Sequence, residues 1–120
     1  MPTRWEENLK ASEWIVRSVI GKYDIINFLQ LDMAIGKILR KVVAFQKKGG
    51  RHFYFILGTS LTLREWLETE IEVGNLLACG TDTGSRYYQL SPFMYRLLEK
   101  ENAFIHKLLH KTTGLEQLLI

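Results

Sequence analysis

A single cysteine, Cys79, stands in this 120-residue chain, so no internal disulfide can form; that suits a reducing compartment. The longest uninterrupted apolar runs fall far short of the roughly 20 residues that span a bilayer, which argues against a membrane protein. At the N-terminus Arg4, Glu6 and Glu7 surround Trp5, where a signal peptide would carry an apolar run. Cytoplasmic residence, or nuclear if the source is eukaryotic, is the expectation. Internal repeats, low-complexity stretches and linker-like segments are also missing. The chain therefore reads as one domain over 1–120, with a helical part over 1–50, a turn, helix and hairpin over 52–92, and a C-terminal helix over 92–111. That length can bury a core without disulfide or metal.

Catalytic motifs are equally scarce. His106 and His110 lie four apart on an expected helix, the spacing of two metal ligands on one face. No third ligand accompanies them, and Lys107 and Lys111 add positive charge. Cys79 falls in an apolar strand without an adjacent base, which favours a core thiol over a nucleophile. The glycines of 80–84 enclose no lysine and lead into no helix, so they are not a phosphate-binding loop. The expectation is a protein that is not an enzyme and takes no cofactor or metal.

What is present is ordinary globular composition, 47% hydrophobic and 24% charged, with an uneven charge distribution. Residues 1–51 carry ten Lys/Arg against five Asp/Glu, and residues 52–120 carry six against eight. Thr3 and Glu6 have capping-box spacing. Behind them Trp5, Leu9, Ser12, Val16 and Val19, widened by Ile15 and Ile20, form a helical stripe that Gly21 stops. Core packing is the expected role of Trp5 and Trp14. Asp24 then caps a second helix from Ile25, with Gly36 as a point of kinking or division. Along it Ile35, Ile38, Leu39, Val42, Val43 and Phe45 share one side, while Lys37, Arg40, Lys41, Lys47 and Lys48 share the other. From Lys37 to Arg51 there are six cations and no acid. Such a face fits nucleic-acid phosphate, an acidic protein partner, an anionic membrane surface, or simply solvent. Membrane binding ranks lowest, since the apolar side lacks tryptophan and the core needs it.

Residues 52–57 are rich in strand-forming aromatics and predict either a buried strand or a short helix before a turn. Gly58 supplies a positive-φ turn. Thr62 and Glu65 repeat the capping-box spacing, predicting a helix whose apolar face is Leu63, Trp66, Leu67 and Ile71 and which Gly74 ends. Residues 81–84 predict a hairpin turn between two strands, with Tyr87 and Tyr88 on opposite faces. Ser91 and Pro92 open a last helix, along which Met94, Leu97, Leu98, Phe104, Ile105, Leu108 and Leu109 recur. Leu115, Leu118, Leu119 and Ile120 form an apolar tail.

The series Leu57-Gly58-Thr59-Ser60-Leu61-Thr62-Leu63-Arg64, then Leu76 and Leu77, the turn at 81–84, and Arg86-Tyr87-Tyr88-Gln89-Leu90-Ser91-Pro92 resembles a winged helix-turn-helix domain over roughly residues 52–100. The resemblance implies an α+β, mostly helical fold with a small antiparallel hairpin and a C-terminal helix. It implies a small DNA-binding transcriptional regulator, dimeric through that helix. Thr59, Ser60, Thr62 and Arg64 would approach bases and Ser85 and Arg86 would form the wing, while Lys37, Arg40, Lys41, Lys47, Lys48 and Arg51 neutralise phosphates. One departure is Tyr54, where the family normally carries a small residue. A second is charge: Glu65, Glu68, Glu70 and Glu72 oppose a single cation, Arg64, on the would-be reading helix, and phosphate repels carboxylates. Either only the first turn of that helix approaches DNA, or it faces a protein. The alternative function is a non-enzymatic interaction subunit or adaptor in a larger assembly, docking through that acidic helix and the apolar tail.

Overall fold

The computed structural model describes residues 4–47, 53–80 and 86–100, apart from the side chains of residues 4 and 45–47. The fold is α+β and mostly helical. In chain order come α1 (Arg4–Tyr23), β1 (Ile26–Asn27), α2 (Phe28–Lys47), α3 (Leu63–Glu72), β2 (Leu76–Gly80) and β3 (Arg86–Leu90), then a helix α4 described over 92–100. The strands form one antiparallel sheet in the order β1-β3-β2. Its inner face (Ile26, Leu76, Tyr88, Leu90) meets Val16, Val19 and Ile20 of α1, Leu31 and Ile35 of α2, and Trp66 and Leu67 of α3. A second cluster of Ala11, Trp14, Ile15, Val42 and Phe53 continues that core along α1.

Helix α1 does not stop at Gly21 but runs on to Tyr23. A helical glycine costs about 1 kcal/mol relative to alanine, and here it sits at a close contact. A Cβ at Gly21 would lie 3.0 Å from Leu90 Cδ1 and 3.6 Å from the Tyr95 ring. Glycine thus lets β3 and α4 press onto the helix. Trp14 is buried as expected, but Trp5 is 49% exposed and lies outside the core.

Asp24 is not the cap of α2. It takes a positive φ of 63° and accepts a hydrogen bond from the Tyr95 hydroxyl at 3.3 Å; burial first, then the Asp24 charge, raises that phenol above its ordinary pKa. The chain next pairs Ile26 with Tyr88 as β1, and Asn27 does the capping. Its Oδ1 accepts from Gln30 N at 2.8 Å, and Gln30 Oε1 accepts from Asn27 N at 3.2 Å, a reciprocal arrangement like a capping box. Helix α2 continues past Gly36 without division. Ile35 and Val42 are buried on its inner side as expected, whereas Val43 is exposed.

Residues 53–57 form neither strand nor helix, which corrects both expectations. Side chains of α1 satisfy this segment instead. Asn8 Oδ1 accepts from Tyr54 N at 3.4 Å, and Ser12 Oγ accepts from Ile56 N at 3.0 Å. Spacing explains the fit: four helical residues rise about 6 Å, close to the roughly 6.7 Å that two residues of extended chain cover. Ser12, fully buried, also donates to Asn8 O at 2.7 Å. Phe53 and Leu57 turn inward while Tyr54 stays exposed.

Helix α3 begins as its sequence predicts. Thr62 Oγ1 accepts from Glu65 N at 3.1 Å and Glu65 Oε1 accepts from Thr62 N at 3.0 Å, completing the capping box. It ends at Gly74, whose φ is 84°. There Gly74 N donates to Ile71 O and Asn75 N to Glu70 O, the paired bonds of a Schellman motif. Ser91 caps α4, accepting from Met94 N at 3.1 Å.

Candidate nucleic-acid interface

The four carboxylates of α3 fall into distinct surroundings. Glu70, 5% exposed, faces α1 and accepts two hydrogen bonds from Arg17 Nη2, at 3.1 and 3.0 Å. The Arg17 guanidinium also lies 5.5 Å from the centroid of the Trp66 ring, a cation–π distance. Glu13 completes the group: its Oε2 accepts from Trp66 Nε1 at 3.1 Å and stands 3.9 Å from Arg17 Nη2. Glu68 pairs with Arg86 at the start of β3. Glu65 closes the cap, and the backbone bond from Thr62 first, then its hydroxyl, hold that carboxyl below its ordinary pKa. Glu72 is left exposed on the last turn.

The acidity that argued against a nucleic-acid surface on α3 is thus largely engaged within the protein. The nearby cations are engaged as well. Arg86 is bound to Glu68, and Arg64 stacks 4.1 Å from the centroid of the Phe28 ring while remaining exposed. Thr59, Ser60 and Thr62 are exposed beside it. Ser60 has a φ of 75°, an uncommon conformation for a non-glycine residue, and the Thr62 hydroxyl is occupied by the cap.

On α2, Lys37, Arg40 and Lys41 are exposed, and no carboxylate lies within ion-pair distance of them among the described residues. Lys47 is the last residue of α2, with its side chain outside the described set; Lys48, Arg51 and Ser85 lie outside it altogether. At 100° per residue, Lys37 points about 180° away from Phe28, and Arg40 and Lys41 about 120° and 140° away on either side. Since Phe28 is where Arg64 docks, the cations of α2 and the first turn of α3 occupy different sides of α2. The expected site residues divide into two surfaces.

Two apolar features are also exposed, in different places. Leu29 and Met33 sit one turn apart on the outer side of α2, 67% and 57% exposed. An apolar groove of about 620 Å³ also opens between Trp5 and Asn8 of α1 and residues 54–57, 60 and 61. Cys79 is exposed, not a core thiol: it alternates with Leu76 and Ala78 onto the outer face of the sheet. Among the described residues no group of three or more His, Cys, Asp or Glu is placed to hold a metal ion, and no helix is long and apolar enough to cross a membrane. His106 and His110, the rest of the expected C-terminal helix beyond residue 100, and the apolar tail lie outside the described residues.

Sequence reasoning missed Arg17, Glu13, Asn8, Ser12 and Asn27. Only Asn27 had a local signal, the Asn27–Gln30 spacing that repeats the Thr62–Glu65 pattern. The others act across 42 to 53 residues of chain. Comparison with protein-family models, curated proteins and solved structures gives no match.

Proposed function

We propose that this protein binds duplex DNA as a small regulator resembling a winged helix. The observation that carries the reading is the outer face of α2, where Lys37, Arg40 and Lys41 lie exposed with no carboxylate partner among the described residues. In sequence that run continues without an acid to Arg51. Neutralising phosphates and releasing their counterions is what such a face does best. Two features favour the winged-helix form: α3, β2, β3 and α4 follow in the order that the resemblance implies, and the carboxylates of α3 are mostly paired or capped. The two surfaces carry different tasks. The α2 cations supply affinity that does not depend on sequence, and Thr59, Ser60 and Arg64 at the start of α3 supply any base contact.

The test is fluorescence anisotropy with labelled duplexes at several salt concentrations. Wild type is expected to lose affinity with a log–log slope of about −0.9 per neutralised phosphate. Replacing Lys37, Arg40 and Lys41 with glutamate flattens that slope by about three such steps. Arg64→Ala instead changes the preference among sequences. A folded sample that binds no duplex at low salt overturns the reading.

A second reading, an adaptor docking on another protein, is favoured by Leu29 and Met33 on the same side of α2 as the cations. A partner captured there would lose affinity on Met33→Glu, whereas DNA binding would weaken only through the added charge.

A further inference from the structure

The register of the hairpin identifies an open edge. Ser91 N donates to Asn75 O at 3.0 Å, and these two residues continue the pairing in which Leu77 faces Gln89 and Cys79 faces Tyr87. In an antiparallel ladder hydrogen-bonded pairs alternate with non-bonded ones. Leu77 and Cys79 therefore bond to β3, and Leu76, Ala78 and Gly80 turn their N–H and C=O groups the other way. On that side the sheet has no further strand among the described residues, because the order is β1-β3-β2. Edge strands are commonly protected by charge, proline, a bulge or a covering element. The strand Leu76–Gly80 has no charged residue and no proline, and its outer face exposes Leu77 and Cys79. Beyond its Leu76 end stand the exposed apolar residues Val73 and, after Ser91, Phe93.

We propose that this edge pairs with the same edge of a second copy of the chain, β2 against β2, about a two-fold axis at Ala78. An antiparallel edge is self-complementary under such an axis, since each copy offers the bonds that the other lacks. Ala78 faces Ala78, Leu76 faces Gly80, and Leu77 faces Cys79 on the outer face. The result is a six-stranded sheet with no charged residue along the β2–β2 seam. This interface differs from a dimer built on the C-terminal helix, and it does not depend on DNA binding.

The register makes the test specific. Leu77 of one copy and Cys79 of the other form a non-hydrogen-bonded pair, with Cα atoms about 4.5 Å apart. Two Cys79 residues would be about 8 Å apart, beyond disulfide reach. Sedimentation of the full chain without DNA should show a reversible dimer for wild type. Ala78→Pro removes an N–H that β3 does not use, so the variant should keep its circular dichroism and become monomeric; Leu77→Lys should do the same by charging the edge. On mild oxidation Leu77→Cys should give a covalent dimer and wild type none. A monomeric wild type, a dimer that survives both edge substitutions, or equal cross-linking of wild type and Leu77→Cys overturns the proposal.

Discussion

The ion pair between Arg17 and Glu70 offers the sharpest check on how α1 and α3 are held together. The side chains of Arg17 and Glu70 keep 18% and 7% of their exposure, so both charges are largely withdrawn from water. Removing one partner of a buried pair typically costs about 3–5 kcal/mol, because the other charge is stranded. Glu70→Gln leaves the guanidinium with Glu13, 3.9 Å away, and some solvent, which puts the expected loss near the lower limit, about 3 kcal/mol. Arg17→Met strands the more buried carboxylate and also removes the stacking on Trp66, for an expected loss of about 4 kcal/mol. Replacing both, with Met at 17 and Leu at 70, removes both desolvation penalties and should cost only about 1 kcal/mol. Urea unfolding followed by tryptophan fluorescence measures all four species. For a chain of this size about 3 kcal/mol corresponds to a fall in Tm of roughly 10–15 °C. If the single variants stay within about 0.5 kcal/mol of wild type, as a surface pair would, or if the double loss equals the sum of the single losses, the pair is not the buried link described.

Three other substitutions test separate joints. Ser12→Ala removes the acceptor for Ile56 N at a fully buried site and should cost about 2 kcal/mol, with faster amide exchange at Ile56. Thr62→Ala opens the capping box at a cost of about 1 kcal/mol near neutral pH. The cap holds the folded Glu65 carboxyl below its ordinary value, so its contribution is complete above the unfolded value and is lost as pH falls through the folded one. The penalty of Thr62→Ala, measured by thermal melts, should therefore shrink in acid. Ser60→Gly relieves a residue at φ 75° and should raise stability by up to about 1 kcal/mol, read as a higher urea midpoint. A lower midpoint would mean that the Ser60 side chain holds the turn.

Much of the fold is legible in the sequence where the signal is local. Thr62 with Glu65, Gly74, the hairpin strands and Ser91 with Pro92 each act within a few residues, and each element begins or ends where those residues predict. The failures are non-local. β1 is two residues long and exists through its pairing with β3, in register at Ile26 and Tyr88, 62 residues later. Gly21 reads as a helix stop until Leu90 is seen against it. Residues 53–57 read as strand or helix because their backbone groups need partners, and the sequence cannot reveal that two side chains of α1 supply some of them. Trp5 and Cys79 fit the apolar patterns around them, yet they fall on exposed faces.

The candidate site follows the same division. The basic run of α2 is a composition signal, and its exposure follows from the apolar side opposite. The acid-rich α3 misleads because sequence counts charges without their partners. Once Glu70 is set against Arg17 and Glu68 against Arg86, α3 no longer presents four free carboxylates. The pairing acts in both directions, however. Arg86, expected to contact nucleic acid, is held by Glu68, and Arg64 rests on Phe28. A phosphate approaching the hairpin must compete with Glu68 for Arg86, at an exposed pair that costs only about 0–1 kcal/mol to break. One approaching α2 meets Lys37, Arg40 and Lys41 with no such competitor among the described residues. Affinity on this protein should therefore reside on α2, and Glu68→Gln should strengthen binding at the hairpin by freeing Arg86. If that substitution leaves duplex affinity unchanged while the α2 cations carry all of it, the hairpin is not part of the DNA surface.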